Sequence, residues 1–149
     1  MQKIRITKEF DFEMAHVLSN YDGPCKNIHG HSYKLFITIS GKPLNNAGHP
    51  KQGMLMDFGE LKKMVREEII DKYDHSLVIN ANSPQQLINT VEQMFEKFEI
   101  VEFQPTCENL VIDFANRIKH KLPGSVKLFS VKLVETATSF AEWYASDNE

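Results

Sequence analysis

The order of periodicities along the chain predicts an α+β fold in which an antiparallel sheet carries two helices on one face. Three observations lead there. Two long runs near the amino end alternate apolar and polar residues, two segments in the middle repeat at helical spacing, and a second pair of alternating runs closes the chain. The resulting order, ββααββ, places four strands around two central helices. At 149 residues there is room for one domain with a substantial core, residues 1–149, and a second would be cramped.

The first strand is expected from Lys3 to His16, with Phe10, Phe12, Met14 and His16 on one face and Asp11 and Glu13 on the other. The second runs from His29 to Gly41. His29, His31, Tyr33, Leu35, Ile37 and Ile39 share a face, and Lys34, Thr38 and Ser40 point away. Both patterns suit antiparallel strands with one wet side. Asp57-Phe58-Gly59-Glu60 has the form of a helix start, and Phe58, Leu61, Val65 and Ile69 then recur at helical spacing until about Tyr73. Thr106 caps the second helix, whose stripe is Val111, Phe114, Ala115, Ile118 and Leu122 before Pro123-Gly124 stops it. Val126–Glu135 and Ser139–Ala145 form a closing hairpin. Between the helices, Ala81–Gln104 gives a short helix at Gln85–Phe98 and a brief strand at Ile100–Phe103. Four long strands leave two open edges, a hazard that pairing with neighbouring subunits would remove. An oligomer is expected.

A net charge of −3 argues against a broad nucleic-acid footprint, so no direct nucleic-acid partner is expected. No apolar run approaches the roughly 20 residues of a membrane span, and no membrane partner is expected. The opening MQKIRITKEF lacks the apolar block of a signal peptide. A cytoplasmic protein is expected by default, in which Cys25 and Cys107 would stay as thiols.

His29-Gly30-His31 carries the strongest chemical signal. Residues two apart on a strand project to one face, so both imidazoles can converge on one ion, and the intervening glycine lets another backbone come close. His16 ends the apolar face of the preceding strand. If the two strands pair, all three rings meet, and three neutral nitrogens suit zinc with a fourth position open to water or substrate. A lone histidine on an apolar face is usually a satisfied core residue; an H-x-H pair on a strand balances the two readings, and a third ring on a like face tips them towards a metal. His49 and His120 read as surface residues. A closed structural zinc, with Cys25 as fourth ligand, stays open on spacing alone.

Cys25 lies four residues before His29, beside Lys26, where a cation or metal would favour the thiolate and make it a general base. Alone it would read as a small apolar filler. Asp74-His75 follows the first helix. The carboxylate can orient the imidazole for acid or base work, or His75 can simply favour the negative end of the helix dipole. Glu135 continues the apolar face of Phe129, Val131 and Leu133 and would need a partner such as two parallel N–H groups of a ligand, unless the strand has emerged into water there. Thr106 and Glu108 have evident cap and dipole roles.

Taken together, FEMAH (Phe12–His16), CKNIHGH (Cys25–His31), MDFGELK (Met56–Lys62), Asp74-His75 with Asn80, PTCEN (Pro105–Asn109) and VETATS (Val134–Ser139) resemble the 6-pyruvoyltetrahydropterin synthase superfamily, most closely its bacterial 6-carboxytetrahydropterin synthase branch. The six segments occur in order over nearly the whole chain. The resemblance implies a tunnelling fold, with an antiparallel four-stranded sheet backed by two helices. Three subunits close a barrel, and two rings stack into a hexamer with sites at subunit interfaces. It implies His16, His29 and His31 as zinc ligands, Cys25 as catalytic base, and Asp74 and His75 as its proton-transfer partners. Glu135 is then the anchor for the pterin N–H edge, with Thr106 and Glu108 as further contacts. The implied substrate is 7,8-dihydroneopterin triphosphate. The implied reaction yields 6-carboxytetrahydropterin, acetaldehyde and triphosphate on the route to queuosine-type deazapurines. The three residues between Cys25 and His29 match the carboxy-forming branch. A pyruvoyl-forming enzyme on the same substrate, and a zinc-stabilised binding module without chemistry, are the alternatives. The segment Ala81–Gln104 departs from the compact bacterial relatives.

Overall fold

The computed structural model of the chain describes residues 2–20, 23 and 26–149. Strand β1 (Ile4–His16) pairs antiparallel with β2 (His29–Gly41), setting His16 opposite His29, Met14 opposite His31 and Phe12 opposite Tyr33. On the far side of β2 lies β5 (Val126–Thr136), followed by β6 (Ser139–Tyr144), both antiparallel to their neighbours. These four long strands are the ones that alternation predicts.

The sheet nevertheless has six strands, not four, in the order β4-β3-β1-β2-β5-β6. Strand β3 (Ser76–Asn80) runs parallel to Met14–His16 of β1, and β4 (Phe98–Val101) runs parallel to β3. The sheet is therefore mixed rather than wholly antiparallel. Strand β3 escaped the pattern because it is buried on both faces and so does not alternate. Val78 joins the main core, while Leu77 and Ile79 face the other way and pack on Ile88 and Val91 of helix α3 (Gln85–Met94). Helix α3 is the crossover between β3 and β4 and lies on the opposite face of the sheet from the two long helical segments. The two long helical segments share one face, as expected, and α3 covers the other. The helix also stops at Met94 rather than Phe98, since Phe95 takes extended backbone and Phe98 is needed to pair with Leu77.

The main core is built from alternate residues of β1, β2 and β5 (Phe10, Phe12, Met14; Tyr33, Leu35, Ile37, Ile39; Val131, Leu133) covered by two helical segments. The first is α1 (Phe58–Val65), continued through a π turn (Arg66–Ile70) into the short α2 (Asp71–Tyr73). Asp57 caps it by accepting from Gly59 N–H at 2.7 Å. Its buried stripe begins at Leu61, because Phe58 still projects into solvent in the first turn. The second segment, α4 (Cys107–Lys119), buries Leu110, Val111, Phe114, Ala115 and Ile118 and ends before Leu122, which is only partly covered. Each large apolar side chain so buried contributes on the order of 1.5–3 kcal/mol.

Strand β3 flanks β1 only over its last three residues, where His16 sits. The end of β1 that carries the histidine is therefore gripped on both sides, by β2 and by β3. No helix of the described residues is long and apolar enough to cross a membrane.

Candidate metal centre

The antiparallel register decides the site. His16 and His29 face each other across the β1–β2 ladder, and His31 follows two residues on along the same face. Their ligand-type nitrogens all lie within 4.8 Å of one another. Gly30 is not required for this approach, because an added Cβ would meet Met14 O at 3.5 Å, an ordinary contact.

The tautomers follow from the partners. His16 Nδ1 lies 2.7 Å from the carbonyl oxygen of Pro105, and His29 Nδ1 lies 2.8 Å from that of Asn27. A carbonyl only accepts, so both Nδ1 atoms carry the hydrogen and both Nε2 atoms present lone pairs. Those two Nε2 atoms face each other at 2.9 Å. Two lone pairs at that distance repel unless a cation lies between or beside them. The Nε2 of His31 is buried and has no hydrogen-bond partner. Burial holds the proton affinity of His16 down to about 4, against the Pro105 hydrogen bond and with help from the charges of His29 and His31. A converging set of three imidazoles, two of them held by outer hydrogen bonds to carbonyls, is what a borderline-soft cation requires. The residues fit a metal ion.

Glu135 comes to this cluster from β5, with Oε1 at 3.8 Å from His31 Nε2. The β2–β5 register pairs Lys34 with Val134, and continued by one residue it sets Glu135 beside Tyr33. Tyr33 is buried, stacked on Phe12 with centroids 5.1 Å apart, and its hydroxyl has no partner. Burial, then the charges of Glu135 and Cys107, push the phenol far above its usual range. Cys107 donates its S–H to Leu133 O, and burial followed by Glu135 pushes that thiol up to about 12. Cys107 is thus a protonated residue packed against the core, not a nucleophile.

Thr106 caps α4, accepting from Asn109 N–H at 3.2 Å, and Glu108 stands exposed in the first turn. Thr106 adjoins Pro105, whose carbonyl orients His16, and neither Thr106 nor Glu108 bonds to a histidine among the described contacts. Gln104 ties this corner together. Its side chain donates to Ser19 O at 2.8 Å, and its carbonyl accepts from Asn109 at 3.0 Å.

Asp74 and His75 occupy the junction of α2 and β3. Asp74 Oδ1 accepts from Glu13 N–H at 2.9 Å and lies 3.0 Å from His75 Nδ1. Burial works to raise the carboxyl pKa, but the Glu13 N–H, His75 and Lys97 together outweigh it and leave Asp74 below its ordinary value. His75 is exposed and adopts φ 61°, a left-handed backbone uncommon for a non-glycine residue. Within one chain, no described hydrogen bond or ion pair links this pair to the three-histidine cluster. His75 and His31 do open onto the same cleft of about 490 Å³, whose rim includes Ile28, Phe95 and Lys97. Phe95 and Lys97 come from the 81–104 segment, and no local pattern marked them. Nor did pattern reasoning mark Tyr33 or Pro105, since a core tyrosine and a backbone carbonyl carry no sequence signal of their own. Cys25 lies outside the described residues.

The comparisons agree with this geometry. A protein of Haemophilus influenzae named 6-carboxy-5,6,7,8-tetrahydropterin synthase is 37% identical over 93% of this chain and 97% of its own. One of the same name from Aquifex aeolicus is 33% identical over 95% and 98%. Among solved structures, an uncharacterized protein of Wolinella succinogenes superposes with a TM-score of 0.79 at 22% identity, covering 97% of this chain and 99% of that one. The 6-pyruvoyl tetrahydropterin synthase of Caenorhabditis elegans gives 0.69 at 23% identity, over 97% of both chains. These likenesses show the tunnelling fold. The family model for 6-pyruvoyl tetrahydropterin synthase matches residues 5–146, and so the chain, with its six-stranded sheet and its converging histidines, belongs to the 6-pyruvoyl tetrahydropterin synthase family.

Proposed function

We propose that this chain is a zinc-dependent lyase that converts 7,8-dihydroneopterin triphosphate to 6-carboxy-5,6,7,8-tetrahydropterin, releasing acetaldehyde and triphosphate. The observation that carries the reading is the pair of Nε2 lone pairs held face to face at 2.9 Å, with the partnerless His31 Nε2 and the Glu135 carboxylate beside them. The names of the curated relatives support the carboxy-forming branch. The donor set favours zinc, which when bound supplies Lewis acidity to the hydroxyls of the substrate side chain.

The chain's own residues do the rest. Pro105 and Asn27 fix the rings of His16 and His29 through their Nδ1 hydrogens, so the ligand geometry is set before substrate arrives. Glu135 accepts the paired N–H groups of the pterin ring and orients it, with Thr106 and Glu108 at its border. Cys25 removes a proton from the side chain as general base. His75, with its Nδ1 held by Asp74, exchanges protons with it through Nε2. The chain assembles as a hexamer of two stacked trimers, with its sites at subunit interfaces as the family resemblance implies. The product feeds queuosine-type deazapurine synthesis in the cytoplasm.

Incubating zinc-loaded protein with 7,8-dihydroneopterin triphosphate and identifying products by mass tests this. Acetaldehyde with a carboxylated pterin is expected. A pyruvoyl side chain would reassign the product, and unaltered substrate would overturn the reading.

A further inference from the structure

Two polar groups that are chemically complementary stand in adjacent register positions without meeting. The Tyr33 hydroxyl is buried and has no acceptor, which is an unfavourable state for a donor inside a protein. Across the β2–β5 ladder, the Glu135 carboxylate makes no hydrogen bond among the described residues, and His31 Nε2 lies 3.8 Å from its Oε1. Phe12 stacks against the Tyr33 ring and the His31 ring lies 5.5 Å from it, so the phenol is confined to this corner. Cys107, the other polar group here, gives its S–H to Leu133 O and offers the phenol no competing partner.

We propose that Tyr33 is a positioning residue for Glu135. In the ligand-bound site, the phenol O–H donates to the Glu135 carboxylate, turning it away from His31 and towards the two N–H groups of the bound heterocycle. A carboxylate beside three imidazoles would otherwise be drawn to the metal they hold. The phenol keeps ring recognition separate from metal binding. This deepens the pterin reading and rests on it.

The test is Tyr33→Phe, which removes one oxygen and keeps the stacked ring. Equilibrium binding of neopterin is followed by its fluorescence, alongside steady-state kinetics with 7,8-dihydroneopterin triphosphate, thermal unfolding and zinc content. Affinity for neopterin should fall about five- to tenfold, the equivalent of one net hydrogen bond. KM should rise by a similar factor, with kcat changed less than about twofold. The melting temperature should be unchanged or higher, because a partnerless buried hydroxyl is lost, and zinc should stay bound. Neopterin affinity within twofold of the unaltered protein would overturn the proposal. A loss of affinity that comes with lost stability or lost zinc would also overturn it, by making Tyr33 merely structural. If the unaltered protein binds neopterin but does not turn over the triphosphate, the lyase reading fails while the binding comparison still decides the role of Tyr33.

Discussion

Acid should unfold the metal-free protein in a way that depends on His16. The ring is buried and binds its proton at about 4 in the folded chain, against about 6.5 when unfolded. The unfolded state therefore binds more protons between those two values, and stability falls as pH falls through that window. It is fully present above about pH 6.5 and fully lost only below pH 4. The total held by this one group is about 3 kcal/mol, of which about 2.5 kcal/mol has gone at pH 4.5. The assay is urea unfolding of chelator-stripped protein from about pH 7.5 to pH 4.5, with His16→Gln measured in parallel. Subtracting the two curves removes the contribution of the carboxylates, which both proteins share. The difference should shrink by about 2–3 kcal/mol on acidification. Equal slopes in the two proteins would refute the argument that burial keeps this imidazole neutral. Saturating zinc should move the acid limb lower and steepen it, since protons then compete with the ion for the same lone pairs.

Cys25→Ala should abolish turnover while zinc remains bound at one ion per chain, measured by metal analysis; loss of zinc with the thiol would instead favour a closed structural site. Asp74→Asn keeps an oxygen to accept the Glu13 N–H but removes the charge beside His75. It should lower kcat at least about tenfold with an unchanged melting temperature. Thr106→Ala removes the cap on α4 and should cost about 1 kcal/mol, read as a fall of about 3 °C in melting temperature.

The local periodicities decided much of the fold. Alternation in β1 and β2 placed His16, His29 and His31 on faces that pairing then joined, and the helical stripes of α1 and α4 were legible from Leu61, Val65, Phe114 and Ile118. Strand β3 was not legible, because Leu77, Val78 and Ile79 are covered from both sides and a doubly buried strand has no period to detect. Helix α3 and strand β4 were foreseen as types, but their boundaries depended on where Phe98 had to pair.

For the site, the sequence by itself nominated the candidate groups: three imidazoles from strand spacing and, through the family resemblance, a thiol, an Asp-His pair and a carboxylate at the end of an apolar face. Spacing on a strand is enough for the imidazoles, since residues two apart must share a side. Only the tertiary structure decided how those groups are tuned and divided. The Pro105 carbonyl that sets the His16 tautomer is 89 residues away, and Glu135 reaches His31 only through the β2–β5 register. The same packing ties Asp74 to the Glu13 backbone and opens His75 onto the cleft that His31 also lines. Hydrogen-bond partners and burial are properties of contacts between distant segments, and no local pattern encodes them.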